Sequence, residues 1–379
     1  MKIAVLKERR DGETRVAATP ETVKKMIAAG HAVAIEKDAG AAASIPDVQF
    51  TDAGASIAPD AAAAVSGADL VIKVRAPLPE ELSAMKSGAA LVGLLAPHGD
   101  PAALEAYAKA GIDAFSMEFT PRITRAQSMD ALSSQSNLAG YRAVIEAANA
   151  YGQAFPMMMT AAGTVPAAKV FVMGAGVAGL QAIATAKRLG AIVSATDVRP
   201  AAKEQVASLA AKFVAVEDEE FKAAETAGGY AKEMSDEYKA KQAELIASHI
   251  AKQDVVITTA LIPGRPAPKL VSAAMVASMQ PGSVLVDLAI EAGGNIEGAK
   301  LGEVVETANG AKILGFANLP GRLAKDASAL YAKNLLNLLP LLSSEDGALA
   351  PHADDEIIQG MQLTRGGAVV HPSFVKEPA

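Results

Sequence analysis

The sequence predicts an α/β chain: two doubly wound parallel sheets separated by a cleft. Two observations predict this. Short apolar runs alternate with helical stretches along most of the chain, the pattern of repeated strand–helix–strand units. The composition is 51% hydrophobic but only 4% aromatic, with 31 Gly, which suits helices packed closely on buried strands. At roughly 100–200 residues per domain, 379 residues imply two domains.

In the first half, strands are expected at 3–6, 32–35, 70–74, 90–95 and 112–115, and helices at 20–29, 79–85 and 101–110. Residues 133–151 read as a long helix linking the domains. Residues 155–165 have two apolar arms around Ala161-Ala162-Gly163, a hairpin that serves either as a dimer contact or as ordinary core. Further strands are expected at 169–173, 192–196, 213–216, 255–259, 283–287 and 313–316. The polar stretch 217–252 reads as a loop followed by a helix at 237–249. A helix at 327–339 folds back onto the first domain, and residues 360–370 read as a small hairpin. The first domain is thus discontinuous, 1–132 plus 321–379, around a second at 133–320.

A net charge of −7 argues against a nucleic-acid partner, which needs concentrated Lys and Arg. The chain has no Cys, so disulfides, thiolate metal sites and Cys nucleophiles are excluded. No HExxH, no histidine pair at ligand spacing and no GxSxG are present, and no metal is expected. The start reads as a strand followed by charge, not as a signal peptide. No apolar stretch reaches the roughly 20 residues of a membrane-spanning helix, so no direct insertion is expected.

The clearest motif is Gly174-Ala175-Gly176-Val177-Ala178-Gly179, between an apolar strand and a helix. Gly174 permits the tight turn, Gly176 lets a pyrophosphate approach the backbone, and Gly179 lets helix and strand pack closely. The phosphates then meet a helix N-terminus. Asp197 ends the next strand, where a carboxylate accepts hydrogen bonds from the ribose hydroxyls of adenosine and repels a 2′-phosphate. The prediction is a Rossmann-type domain for NAD(H) rather than NADP(H). Arg199, two residues on, bears on that choice, since a basic residue can receive a 2′-phosphate. Thr259-Ala260-Leu261 and Asp287-Leu288-Ala289, both at strand ends, are candidate walls for the nicotinamide half, or simple turns.

Alcohol and amine dehydrogenases need an acid or base beside the nicotinamide. Among five histidines only His98 lies near a strand end of the first domain. Residues 121–130 combine Arg122, Arg125, Gln127 and Asp130 at the start of the linking helix, as cleft groups or as helix-capping groups.

At this point the chain resembles the alanine dehydrogenase and transhydrogenase superfamily. The resemblance is carried by Lys7-Glu8, Glu13-Thr14-Arg15-Val16-Ala17, Thr19-Pro20, Lys73-Val74-Arg75-Ala76-Pro77, the glycine fingerprint, Thr259 to Gly264, and Val286-Asp287-Leu288-Ala289 with Gly293-Gly294. Alanine dehydrogenases carry a Lys–His pair, and the corresponding positions here hold Arg75 and Ala96. Residues 121–137 resemble the NAD(H)-binding component (alpha subunit, domain I) of proton-translocating transhydrogenases. The resemblance implies that Arg122, Gln127, Asp130 and Ser133 line the nicotinamide site, and that Gly228-Gly229-Tyr230 belongs to a mobile loop.

It also implies direct, Si–Re specific hydride transfer to NADP(H) held by a partner component, and a membrane-spanning component that moves protons. A homodimer is implied too, placed peripherally on the cytoplasmic face of a bacterial inner membrane through its partners. An alanine dehydrogenase-like enzyme and a non-catalytic NAD(H) sensor are the alternatives.

Overall fold

A computed structural model describes residues 1–223, 234–262 and 264–375. The chain forms two units, Met1–Gln135 with Pro320–Ala379, and Ser136–Leu319.

The first unit is built on six strands: β1 (Lys2–Val5), β2 (Ala32–Glu36), β3 (Ser56–Ala58), β4 (Leu70–Arg75), β5 (Ala90–Leu94) and β6 (Asp113–Ser116). Their spatial order is β3-β2-β1-β4-β5-β6 and every neighbouring pair is parallel. This is the doubly wound order, which reverses between β1 and β4. Both faces of the sheet are covered, so the strands read as unbroken apolar runs. Ile3 and Val5 enter one core with Ile35, Ile72 and Val92, and Ala4 enters another with Val71 and Leu91.

Local signals start the helices. Thr19 and Thr22 form a capping box, with Pro20 opening helix Pro20–Ala28. Asp100 accepts from the Ala103 amide at the start of helix Pro101–Lys109. After the second unit the chain returns, and helix Ala324–Leu338 buries Tyr331, Leu335 and Leu338 in the first core. The Tyr331 hydroxyl donates to the Lys73 carbonyl at 2.7 Å. Near the C-terminus, Thr364–Arg365 pairs with Ala368–Val369 around Gly366-Gly367.

The second unit opens with a hairpin, β7 (Met158–Thr160) and β8 (Gly163–Val165). Met157, Met158 and Met159 are 63%, 44% and 79% exposed, so this hairpin is not ordinary core. Seven strands follow: β9 (Lys169–Met173), β10 (Ile192–Thr196), β11 (Lys212–Phe213), β12 (Val255–Thr258), β13 (Val284–Asp287), β14 (Val304–Glu306) and β15 (Lys312–Leu314). Their order is β11-β10-β9-β12-β13-β15-β14, parallel except for the β14–β15 pair. Val170 and Val172 face one core, Phe171 and Met173 the other.

The expected strand 213–216 is shorter in the structure. Val214 still donates to Ala195, but the Val216 amide turns to the Gln242 side chain at 2.8 Å, which ends the ladder at Phe213. Strands β3 and β14 were not expected from the sequence. Each is three residues long at a sheet edge and carries exposed positions, so neither makes a clear apolar run.

Candidate functional site

The glycine turn joins β9 to helix Val177–Arg188, which begins three residues before its expected start. Gly174 has φ +108°, a conformation that glycine adopts without strain. Its amide donates to the Thr196 carbonyl at 2.8 Å, tying the turn to the end of β10. A Cβ on Gly179 would lie 1.8 Å from the Gly174 carbonyl oxygen, so only a hydrogen fits where helix and turn meet. A Cβ on Gly176 would have nothing within 4 Å. The turn is therefore tightly closed at Gly179 and open at Gly176, the position where a pyrophosphate approaches the backbone.

Asp197 follows β10 with its side chain only 7% exposed. It accepts from the Ala175 amide at 2.7 Å and from the Arg199 amide at 2.9 Å. The Arg199 guanidinium also donates to it, from Nε at 2.9 Å and Nη2 at 3.1 Å. Sequence reasoning placed Arg199 near a 2′-phosphate; the structure commits it to Asp197.

Beyond β12, Thr259 Oγ1 donates to the Gly174 carbonyl at 3.2 Å, which places Thr259 against the glycine turn. Ala260 is held by Asn295, whose side chain accepts from the Ala260 amide at 3.1 Å and donates to its carbonyl at 2.9 Å. The buried carboxylate of Asp287 accepts from the amides of Ala289 and Ile296, each at 2.9 Å, which fixes the backbone on both sides of Asn295. Burial pushes the Asp287 carboxyl up while these amides pull it down. Leu261 is 58% exposed beside the clamped Ala260. Asn295 was missed by the sequence reading. Its only local signal is the preceding Gly293-Gly294, and nothing local shows that it clamps a segment 35 residues away.

In the first unit, Thr124–Met129 forms a short 3₁₀ turn ahead of helix Ala131–Ala150. Its anchors are Ala126 and Met129, which are buried, and Arg125, which pairs with Asp355 at 2.7 Å. Asp130 caps the helix, accepting from the Ser133 amide at 2.9 Å and hydroxyl at 2.6 Å. Arg122 and Gln127 are exposed and make no side-chain hydrogen bond or ion pair among the described residues. The two readings of this segment thus divide by residue: Asp130 and Ser133 cap, Arg125 braces, and Arg122 and Gln127 are left displayed. Gly228, Gly229 and Tyr230 lie outside the described residues.

The first unit also contains a buried ionic network that the sequence reading did not anticipate, at the point where its strand order reverses. Lys73, 2% exposed, lies 3.0 Å from Glu81 and 3.7 Å from Glu8. Arg9 bridges Glu81 and Glu36. Arg15 is bidentate to Glu13 at 2.7 and 2.8 Å and donates to Gln135 at 2.8 Å, and Arg75 reaches Glu13 at 3.1 Å. Burial pushes the Glu8 carboxyl up to about 7, against the pull of Lys73 and the Val74 amide. Burial also acts on Glu13, but Arg15 and then Arg75 outweigh it and bring that carboxyl down to about 2.

The two groups act on stability in opposite directions. Folded Glu8 keeps its proton between pH 4.5 and about 7 while the unfolded chain has lost it, so stability falls as pH rises through that window. The expected loss is roughly 3 kcal/mol, and Glu8→Gln should flatten the slope in denaturant titrations at a series of pH values. Parallel slopes for wild type and variant would assign the loss to other groups. The contribution of Glu13 is present above pH 4.5 and is lost as pH falls toward 2.

Two complete doubly wound units, one with a full dinucleotide fingerprint, define a family as well as a fold. Residues 4–139 match the family model "Alanine dehydrogenase/PNT, N-terminal domain", and residues 143–372 match "Alanine dehydrogenase/PNT, C-terminal domain". The chain belongs to the alanine dehydrogenase/PNT family. Within it, the chain is 55% identical to the first portion of the two-piece NAD(P) transhydrogenase subunit alpha of Rhodospirillum rubrum, over the whole of both chains. A crystal structure of transhydrogenase from Sinorhizobium meliloti superimposes with a TM-score of 0.90 at 56% identity, covering 98% of this chain and 100% of that one. An L-alanine dehydrogenase structure follows with a TM-score of 0.84 at 26% identity, covering 99% and 98%. The similarity supports an NAD(H)-binding component of a nicotinamide nucleotide transhydrogenase.

Proposed function

We propose that this chain binds NADH and passes its hydride directly to NADP⁺ held by a partner component, with Si–Re stereochemistry, while a membrane-spanning component couples the transfer to proton translocation. The observation that carries the proposal is the braced turn at Thr124–Met129, which displays Arg122 and Gln127 uncommitted. Transfer between two nicotinamide rings releases no substrate proton, so it requires ring positioning and no general base. Gln127 offers both an amide donor and an acceptor for a carboxamide, and Arg122 offers a fork for a phosphate. Asp130 and Ser133 support them by fixing the start of the helix. On the nucleotide side, the contacts come from Gly174, Ala175, Gly176, Val177, Gly179, Asp197, Arg199, Gly229, Tyr230, Thr259, Ala260 and Leu261.

No described helix is long and apolar enough to cross a membrane, so membrane association in this reading runs through the partners, on the cytoplasmic face of a bacterial inner membrane. The test is reduction of an NADP analogue by NADH, with this chain alone and with a purified NADP(H)-binding transhydrogenase component. Activity only in the mixture supports the proposal. Silence in the mixture, with NADH bound, returns the chain to the sensor reading or, if pyruvate and ammonia react, to the alanine dehydrogenase reading. Within the same assay, Gln127→Asn is expected to leave NADH affinity within about twofold and to slow hydride transfer about tenfold or more, since a small ring displacement is costly. An unchanged transfer rate removes Gln127 from this role.

The exposed hairpin is the proposed homodimer contact, because three adjacent exposed methionines form an apolar patch that monomers seldom present. Met159→Asp is expected to shift sedimentation from dimer toward monomer, and an unchanged dimer would move the interface elsewhere.

A further inference from the structure

We propose that Arg199 is an intramolecular competitor for the ribose-binding carboxylate: its guanidinium holds Asp197 until the adenosine ribose enters, and must then leave. This rests on the NAD(H) reading above and adds a specificity-determining residue to it.

A carboxylate offers about four acceptor positions. In Asp197 all four are taken. Oδ1 accepts from the backbone amide and Nε of Arg199, each at 2.9 Å. Oδ2 accepts from the Ala175 amide at 2.7 Å and from Arg199 Nη2 at 3.1 Å. A ribose diol that donates to this carboxylate therefore needs at least one donor to withdraw. The two backbone amides are fixed by the turns that carry them. The two guanidinium bonds belong to a side chain that is 35% exposed and can swing away. The same guanidinium also donates from Nη2 to the Ala175 carbonyl at 3.2 Å, so it spans the gap between the strand end and the glycine turn.

Displacement has two consequences of opposite sign. A ligand with a free 2′-hydroxyl loses affinity to the competition. A ligand with a 2′-phosphate gains a nearby cation that offsets the repulsion of Asp197. Arg199 therefore weakens NADH binding and softens the discrimination against NADPH.

The experiment is isothermal titration of the full chain with NADH and NADPH, for wild type, Arg199→Ala and Arg199→Lys, with melting temperatures to check folding. Arg199→Ala is expected to bind NADH about two- to fivefold more tightly, the gain that follows from removing a partly exposed ion pair. NADPH binding is expected to weaken about tenfold. Arg199→Lys keeps the charge but not the fork, so it should tighten NADH while leaving NADPH near the wild-type value; it decides the matter if the alanine variant does not fold. Unchanged or weaker NADH binding in the folded variants overturns the proposal and makes Arg199 a plain nucleotide contact. If the wild type binds no NADH, the NAD(H) reading itself falls, a result distinct from any failure of the Arg199 variants.

Discussion

Gly179→Ala is expected to abolish measurable NADH binding, a loss of at least about 100-fold, or roughly 2.7 kcal/mol. The methyl group would sit 1.8 Å from the Gly174 carbonyl oxygen and 2.8 Å from its carbon. Both are backbone atoms of the turn itself, so no side chain can yield and the turn must open. Opening it displaces Ala175, whose amide holds Asp197, and Thr259, which bonds the same Gly174 carbonyl. The nucleotide would lose its phosphate cradle and its ribose anchor together, and the melting temperature should drop. Gly176→Ala separates the two effects. Its added methyl meets nothing within 4 Å, so folding and melting should match wild type while NADH binding weakens, because the methyl lies where the pyrophosphate approaches. Titration with NADH beside a thermal melt checks both. Equal binding by wild type and Gly179→Ala would show that this turn does not hold the nucleotide.

Lys73→Ala is expected to cost about 3–5 kcal/mol of stability in the first unit, the range for removing one partner of a buried ion pair. Lys73 is the buried cation nearest both Glu81 and Glu8, and its loss leaves carboxylates that are 1% and 3% exposed without it. Glu8 can relieve part of this by taking up a proton, since its carboxyl already titrates at about 7. The cost should therefore be larger at pH 8 than at pH 5, and Lys73→Ala combined with Glu8→Gln should recover some of it. Urea unfolding at the two pH values measures this. A loss under about 1 kcal/mol at pH 8 would place the network among solvated surface pairs.

The sequence by itself determined what is local. Strands β9 and β10 could be read to the residue because buried parallel strands are unbroken apolar runs, and the glycine fingerprint stands out because its constraints act within six residues of chain. Asp197 was legible for the same reason, standing at the end of the next strand. The doubly wound order follows from strand–helix alternation with right-handed crossovers. Only the tertiary structure decided how polar side chains share partners. It assigned Asp130 to a cap and Arg125 to Asp355, 230 residues away, where the sequence left both open to cleft function. It drew Glu8, Arg9, Glu13, Arg15, Glu36, Lys73, Arg75 and Glu81 into one buried network. It set Asn295 against Ala260, and it turned Arg199 from a prospective phosphate ligand into the counter-ion of Asp197. Apolar periodicity survives in one dimension because every buried strand repeats it. Ion pairs and hydrogen bonds are fixed by distances of about 3 Å between groups far apart in the chain, and these distances exist only once the sheets have closed.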